Sequence, residues 1–488
     1  MSEHAFDVPS VETPHVIEPT YTPDPRRWRI LGVSLVIGFM ALLDVSIVNV
    51  AIPSMREGLH TSAGTIQWVV SGYALAFGLT LVAGGRLGDA YGRRRLMLVG
   101  LICFIVSSTA VGLAPNVELV VIARLLQGAS AGLLTPQNSG LIQQLFRGRE
   151  RGRAFGIFGL TVSISSAIGP VLGGVIIALA GEENGWRWLF LVNVPIGLAA
   201  LIAVLVMVPR RVSTSSTSGG TAADNRIDVP GALLLGATVL CLLYPIVRVE
   251  GGERLPLLLL VGVPVFGWGF VAWERRTARR GHPPLLDLAL LRGLPGYLNG
   301  LAVGALYFTG FTGVLLVTSL YLQEGLGMAP LQAGLLLVPF AGGSALSAPL
   351  AGRYVSDLGR RLIVAALATM ITGVVLVALL VPGHDPVWPW LAPTLLLAGL
   401  GAGAVVSPNM ILTLAEVPPR MGGAAGGALQ TGQRIGASIG AAVLVTVYQL
   451  AGDTSADTGL RAALLTGAVL VSFALAMAVR STRQQTAA

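Results

Sequence analysis

Lysine is absent from this chain, and all 32 basic residues are arginine. A Walker A loop needs a lysine beside the phosphates, so an ATPase with its own P-loop is excluded. Schiff-base catalysis and retinal linkage lack their amine as well. Charge of either sign is scarce: 11% of the 488 residues are charged, against about a quarter in a soluble domain. The five histidines (His4, His15, His60, His282, His384) fall in the N-terminal tail or in connections, so no metal centre is expected. The two cysteines, Cys103 and Cys241, lie in separate apolar runs, which argues against a disulfide framework. Met1 to Pro25 holds five acidic residues, many prolines and no arginine, unlike the basic start of a signal peptide. A disordered cytoplasmic tail over 1–28 is expected.

What the chain has in quantity is apolar length: 53% of its residues are hydrophobic, and its mean hydropathy is +0.75. A hydrocarbon core about 30 Å thick takes roughly 20 apolar residues as helix. Fourteen stretches qualify, near 30–52, 65–84, 96–114, 117–140, 154–180, 188–208, 229–247, 255–273, 297–322, 331–351, 362–381, 388–411, 423–450 and 460–479. Many of the chain's 63 glycines and 28 prolines sit inside these runs, as membrane helices tolerate.

The arginines test the count, because cytoplasmic connections are arginine-rich and external ones are not. With the N-terminus inside, the external connections hold only Arg56, Arg187, Arg248, Arg254 and Arg461, Arg124 and Arg434 lie within spans, and the rest crowd the inner connections. No reversal occurs along the chain. The expectation is an all-α, multi-pass protein of the cytoplasmic (inner) membrane with both termini cytoplasmic. Its net charge of +8 then reports topology, and no nucleic-acid partner is expected. The eight tryptophans fall mostly near span ends, as interface anchors do.

Two inner loops repeat. Gly85-Arg86-Leu87-Gly88-Asp89-Ala90-Tyr91-Gly92-Arg93-Arg94 separates the second and third spans, and Gly352-Arg353-Tyr354-Val355-Ser356-Asp357-Leu358-Gly359-Arg360-Arg361 the tenth and eleventh. In both, two glycines stand seven apart, an aspartate lies between them and an arginine pair follows; the aspartate has shifted by one position. A displacement of eight helices fits two six-helix bundles, over 29–208 and 282–480, joined by a linker over 209–281 that carries two additional transmembrane helices, with a short tail over 481–488. Repeated halves around a shared site are the plan of many secondary transporters. A tight inner turn collecting Gly, Asp and Arg by itself is the plainer alternative.

These residues resemble the major facilitator superfamily, and within it the fourteen-helix drug:proton antiporters. Gly85-x-Leu87-x-Asp89-x-x-Gly92-Arg93-Arg94 is similar to the superfamily's loop between its second and third helices. Arg124-x-x-Gln127-Gly128-Ala129 resembles its fourth-helix motif, and Gly169-Pro170-Val171-Leu172-Gly173-Gly174 the fifth-helix motif of exporters. Leu43 to Pro53, Trp186 to Gly197 and Gln433 to Ala437 resemble segments of the fourteen-helix group. The resemblance implies a proton-coupled antiporter that exports amphipathic small molecules, cationic ones included, by alternating access. It would be monomeric, with no cofactor beyond the proton gradient, and not an enzyme.

Within that expectation Asp44 and Arg124 are the candidate proton-coupling pair. An ionised carboxylate near mid-membrane costs about 2.5–3.5 kcal/mol and is functional by default, and Asp44 is the only acid well inside a span. A fixed Asp–Arg packing tie is the structural alternative. Asn49, Gln127, Asn409 and Arg434 are cavity or substrate candidates. Gly85, Asp89, Gly92, Arg93 and Arg94, with Asp357 and Arg360 of the second loop, are the candidate latch. Gly169, Pro170, Gly173 and Gly174 are the candidate hinge, a contact between halves that moves during transport. A substrate-specific metabolite exporter and a nutrient:proton symporter of the same fold are the alternatives in transport. A membrane-embedded enzyme is opposed by one acid with no histidine or lysine beside it.

Overall fold

The structure, a computed structural model, describes residues 23–181, 183–209, 228–250, 255–282, 284–288, 291, 293–452 and 455–487. Most of the expected N-terminal tail and residues 210–227 and 251–254 of the expected linker lie outside these residues, as do the side chains of Asn49 and Pro170.

Every regular element among the described residues is helical. The first half comprises α1 (Arg27–Gly58), α2 (Ala63–Tyr91), α3 (Arg93–Gly112), α4 (Val117–Leu145), α5 (Gly148–Ala180) and one span broken into α6 (Gly185–Leu191) and α7 (Asn193–Met207). Two further helices follow, α8 (Val229–Glu250) and α9 (Gly262–Arg279). The second half comprises α10 (Pro295–Leu320), α11 (Pro330–Leu358), α12 (Arg360–Leu380), α13 (Trp388–Thr413), α14 (Gly422–Gly452) and α15 (Ala456–Ala487). Thirteen described segments are long and apolar enough to cross a membrane, and Val229–Pro245, within α8, is a shorter apolar helix.

Local chemistry sets the boundaries. Ser62 and Asn116 cap α2 and α4 by accepting from the backbone N–H of Thr65 at 3.2 Å and Leu119 at 3.0 Å. A single residue, Gly92 at φ +93°, turns α2 into α3, and Gly359 at φ +54° turns α11 into α12. Side chains rarely adopt that backbone region, so each repeated loop needs its second glycine.

The halves are built alike. α2 packs on α4 as α11 packs on α13, and α1 on α5 as α10 on α14. Small residues permit these approaches: a β-carbon on Gly128 would overlap Tyr73 backbone, and one on Gly436 would overlap Ala305. Between halves, α2 meets α14 and α5 meets α11. These seams are tightest at the arginine-rich end. There Gly85 lies against Gly423 and Gly152 against Gly352, a β-carbon on Gly352 standing 2.6 Å from the Gly152 carbonyl oxygen. The core of the first half continues across the seam at that end through Val355, Met410, Leu414 and Ala425. α8 lies against α2 and α14, with Leu75, Val239 and Leu243 in one cluster against Ile435.

Two expectations need correction. Trp186 is fully buried, in a cluster with Ile47, Met55, Val69 and Phe190, so it is a core residue and not an interface anchor. Asp44 is not the only deeply buried acid. Glu274 of α9 is 1% exposed beside Asp228, which accepts from Trp273 Nε1 at 2.7 Å and from the Gly231 backbone at 2.9 Å. Both acids fall just outside the apolar stretches, where the sequence places them in connections.

Candidate functional site

Asp44 stands eighteen residues into α1 and is 0% exposed. Arg124 enters from the opposite end of α4, and the two meet directly, Nη1 of Arg124 donating to Asp44 Oδ2 at 2.6 Å. Asp44 Oδ1 accepts from Gln127 Nε2 at 3.0 Å and from Asn193 Nδ2 at 2.9 Å. Both amides also donate to Ser108 Oγ, at 3.0 and 3.1 Å, and the Ser108 hydroxyl donates to the Phe190 carbonyl at 2.9 Å. Arg124 spends its other donors on Gln127 Oε1 at 2.8 Å and the Val69 carbonyl at 3.0 Å. One carboxylate thus gathers α1, α2, α3, α4 and the α6–α7 break.

Burial makes the arrangement consequential. Separating a buried pair by removing one partner costs about 3–5 kcal/mol, because the other charge is stranded. A proton on Asp44 does the same to Arg124. The Asp44–Arg124 pair is therefore the centre of a buried network that ties five helical segments together.

Arg124 also lies over the Tyr73 ring, 4.1 Å from its centroid. Tyr73 stacks on Phe77, one turn along α2, with centroids 6.0 Å apart. Arg434 of α14 covers Phe77 at 4.5 Å. A line of cation, ring, ring and cation runs from the Asp44 pair to the seam between halves.

At the arginine-rich end, Asp89 reaches across the seam and accepts from the backbone N–H groups of Gly423 at 3.2 Å and Ala424 at 2.9 Å. These are orphan donors of the first turn of α14, where the helix dipole favours an anion. Arg93 pairs with Asp89 at 2.5 Å. Gln143 of α4 donates to the Leu414 carbonyl at 2.9 Å, a second tie across the same seam.

The remaining candidates divide between contacts across the seam, such as Asp357 with Arg149, and contacts within one half. Arg94 donates to the Leu205 carbonyl at 2.9 Å and so closes the end of α7 within its own half. Arg360 donates to the Gly296 carbonyl at 3.2 Å, also within its half. Asp357 pairs with Arg149 at 3.2 Å, but both side chains are more than half exposed. The one-residue shift of the aspartate turns it by about 100° on its helix, away from the buried seam. Gly169 packs against Ser46 of α1 inside the first half, and α5 continues as helix through Gly174. Gln127 belongs to the Asp44 network, and Asn409 ties α13 to α10 by donating to the Gly300 carbonyl at 3.0 Å. Ser108 and Asn193 were not singled out by the sequence, although a polar side chain inside an apolar run is the signal that marks them. Cys103 and Cys241 are both free thiols, and no group of three or more metal-ligating side chains occurs among the described residues.

A fold of two like halves, with ion pairs and close glycines at their seam, defines a membrane transporter. The chain belongs to the Major Facilitator Superfamily, whose profile matches residues 34–441. It is 36% identical over 435 residues to the probable actinorhodin transporter of Streptomyces coelicolor, covering 87% of this chain and 73% of that one. It is 35% identical to the puromycin resistance protein Pur8 of Streptomyces alboniger (87% and 82% covered) and 32% identical to the tetracenomycin C resistance and export protein of Streptomyces glaucescens (88% and 78%). Among solved structures it is similar in fold to the human organic anion transporter MFSD10, with a TM-score of 0.69 at 17% identity over 93% of this chain and 100% of that one. The proton:xylose symporter XylE gives 0.63 at 15% identity, over 92% and 95%. The chain is thus a transporter with antibiotic-efflux relatives, and not an enzyme.

Proposed function

We propose that this chain exports amphipathic small molecules across the cytoplasmic membrane by exchange with protons, with both termini and the arginine-rich end facing the cytoplasm. The observation that carries this reading is the Asp44–Arg124 pair, a carboxylate with 0% exposure whose ionised form engages five helical segments. In the conformation described, the seams at the arginine-rich end are shut by Asp89 on α14 and by the two glycine pairs. On this reading it is the state closed to the cytoplasm, with Asp44 held by Arg124, Gln127 and Asn193. Protonation from outside dissolves the pair, loosens α1 from α4 and lets the halves rock. Release of that proton to the cytoplasm accompanies capture of cargo.

The printed names of the relatives, one compound each for actinorhodin, puromycin and tetracenomycin C, favour a narrow cargo range. A dedicated metabolite exporter is therefore the second reading. Inverted vesicles with puromycin and tetracenomycin C as probes test both. Accumulation should require an acidic interior, persist without ATP and collapse with an uncoupler, and acceptance of one probe alone would select the dedicated exporter. Accumulation driven by ATP and indifferent to the pH gradient would overturn the exchange.

A further inference from the structure

The seam between the halves carries a cation with no counter-ion. Arg434 stands twelve residues into α14, about 18 Å from its arginine-rich end at the helical rise. No acidic side chain among the described residues pairs with it; its partners are the rings of α2, Phe77 under the guanidinium and Tyr73 beyond. An unpaired charge at that depth is costly and marks a pathway. Arg124, the other arginine at depth, has Asp44 as its counter-ion and donates also to Gln127 and the Val69 carbonyl.

A second, independent orphan lies beside it. Gln430, one helical turn from Arg434, is 8% exposed, and neither its Oε1 nor its Nε2 has a partner. Gly426, Gln430 and Arg434 form one stripe of α14 at i, i+4 and i+8. Gly426 abuts Ser139 of α4, and Arg434 covers Phe77 of α2, so the stripe looks across the seam into the first half. A buried amide left unsatisfied costs about 1–3 kcal/mol, which a ligand offering polar atoms returns.

We propose that Arg434 and Gln430 receive the acidic or phenolate group of an aromatic cargo, its rings lying against Phe77 and Tyr73, and that the cargo class is anionic amphipathic aromatics. This rests on the export reading and replaces its cationic option, because the Asp44 charge is already met by the Arg124 guanidinium, with Gln127 and Asn193 donating to the same carboxylate. It also fits the energetics of efflux: a membrane negative inside drives an anion outward by about 2.3 kcal/mol per charge per 100 mV.

Fluorescein and rhodamine, an anionic and a cationic dye on one xanthene skeleton, test the proposal with the full chain in nanodiscs, by fluorescence anisotropy. Wild type should bind fluorescein the more tightly. Arg434→Gln should weaken fluorescein about tenfold, the value of one charge-assisted hydrogen bond, and leave rhodamine unchanged or improved. Arg434→Lys, which keeps the charge and guards against misfolding of the neutral variant, should retain most of the fluorescein affinity. Gln430→Leu should weaken fluorescein severalfold. Preference for rhodamine in wild type, or equal loss of both dyes in Arg434→Gln with full loss in Arg434→Lys, would overturn the proposal. Binding needs no gradient, so selective fluorescein binding without pH-driven transport would overturn the exchange reading and leave the anion site standing.

Discussion

Asp89 and Ala424 are separated by 335 residues of chain and joined by a hydrogen bond of 2.9 Å, from the Ala424 backbone N–H to Asp89 Oδ2. The carboxylate serves as an N-terminal cap for a helix of the other half, so the cap exists only while the halves are shut. If the carboxylate acts as a latch between the halves, the following outcomes are expected.

Loss of that cap should open the arginine-rich end. With Cys103 and Cys241 replaced by serine, Ser139→Cys, buried at 1% exposure beside Gly426, should react slowly with a membrane-impermeant maleimide applied from that side. Adding Asp89→Ala should raise the rate about tenfold, since charge-assisted bonds are worth about 1.5–3 kcal/mol. Asp357→Ala should leave the rate nearly unchanged, because an exposed ion pair is worth about 0–1 kcal/mol. Equal effects of both aspartates would remove the distinction drawn between the two loops.

The glycine pairs predict a steric counterpart. Gly85→Val and Gly152→Val should each hold the seam open, because their β-carbons collide with the backbone of Gly423 and Gly352. Fast labelling of Ser139→Cys and loss of transport are expected, with membrane insertion intact. Gly342→Ala, where nothing stands within 4 Å, is the matched control. A transport-competent Gly85→Val would show that the seam need not close.

Stability separates a stranded charge from a missing function. Arg124→Gln leaves Asp44 buried without its cation and should cost about 3–5 kcal/mol, seen as a fall in thermal midpoint in detergent. The double variant Asp44→Asn with Arg124→Gln should recover much of that loss while staying inactive in pH-driven exchange. Recovery of exchange along with stability would leave the pair a packing tie.

The aromatic line between the two arginines gives a coupling test. Phe77→Leu keeps apolar volume but removes the ring between Tyr73 and Arg434. Cargo binding should weaken, since Phe77 is one of the rings proposed to hold it, and what binding remains should depend less on pH. An unaltered pH profile would show that the line transmits nothing.

Much of this was legible in the residues themselves. Apolar length anticipated the helical segments, and Asp44 and Arg124, singled out as a pair, meet in the structure. The repeated loop revealed the two halves because each needs a positive-φ glycine at Gly92 and Gly359. Position around a helix was harder to read. Spacing along the chain does not say which neighbour a residue faces, so Gly169 and Arg94 were expected at a moving seam and lie inside the first half. Asp89 and Asp357 look equivalent in sequence, and one residue of phase buries the first and exposes the second. Asn193 was hidden by its α6–α7 break, and Asp228 with Glu274 by lying just past the apolar runs they belong to.

Proton movement itself tests the central claim most directly. Proteoliposomes loaded with a pH-sensitive dye, given cargo on the arginine-rich side without an imposed gradient, report protons that travel against it. Wild type should move protons in step with cargo, and Asp44→Asn should bind cargo and move none. Cargo-coupled proton flux of wild-type size in Asp44→Asn would contradict exchange through this carboxylate.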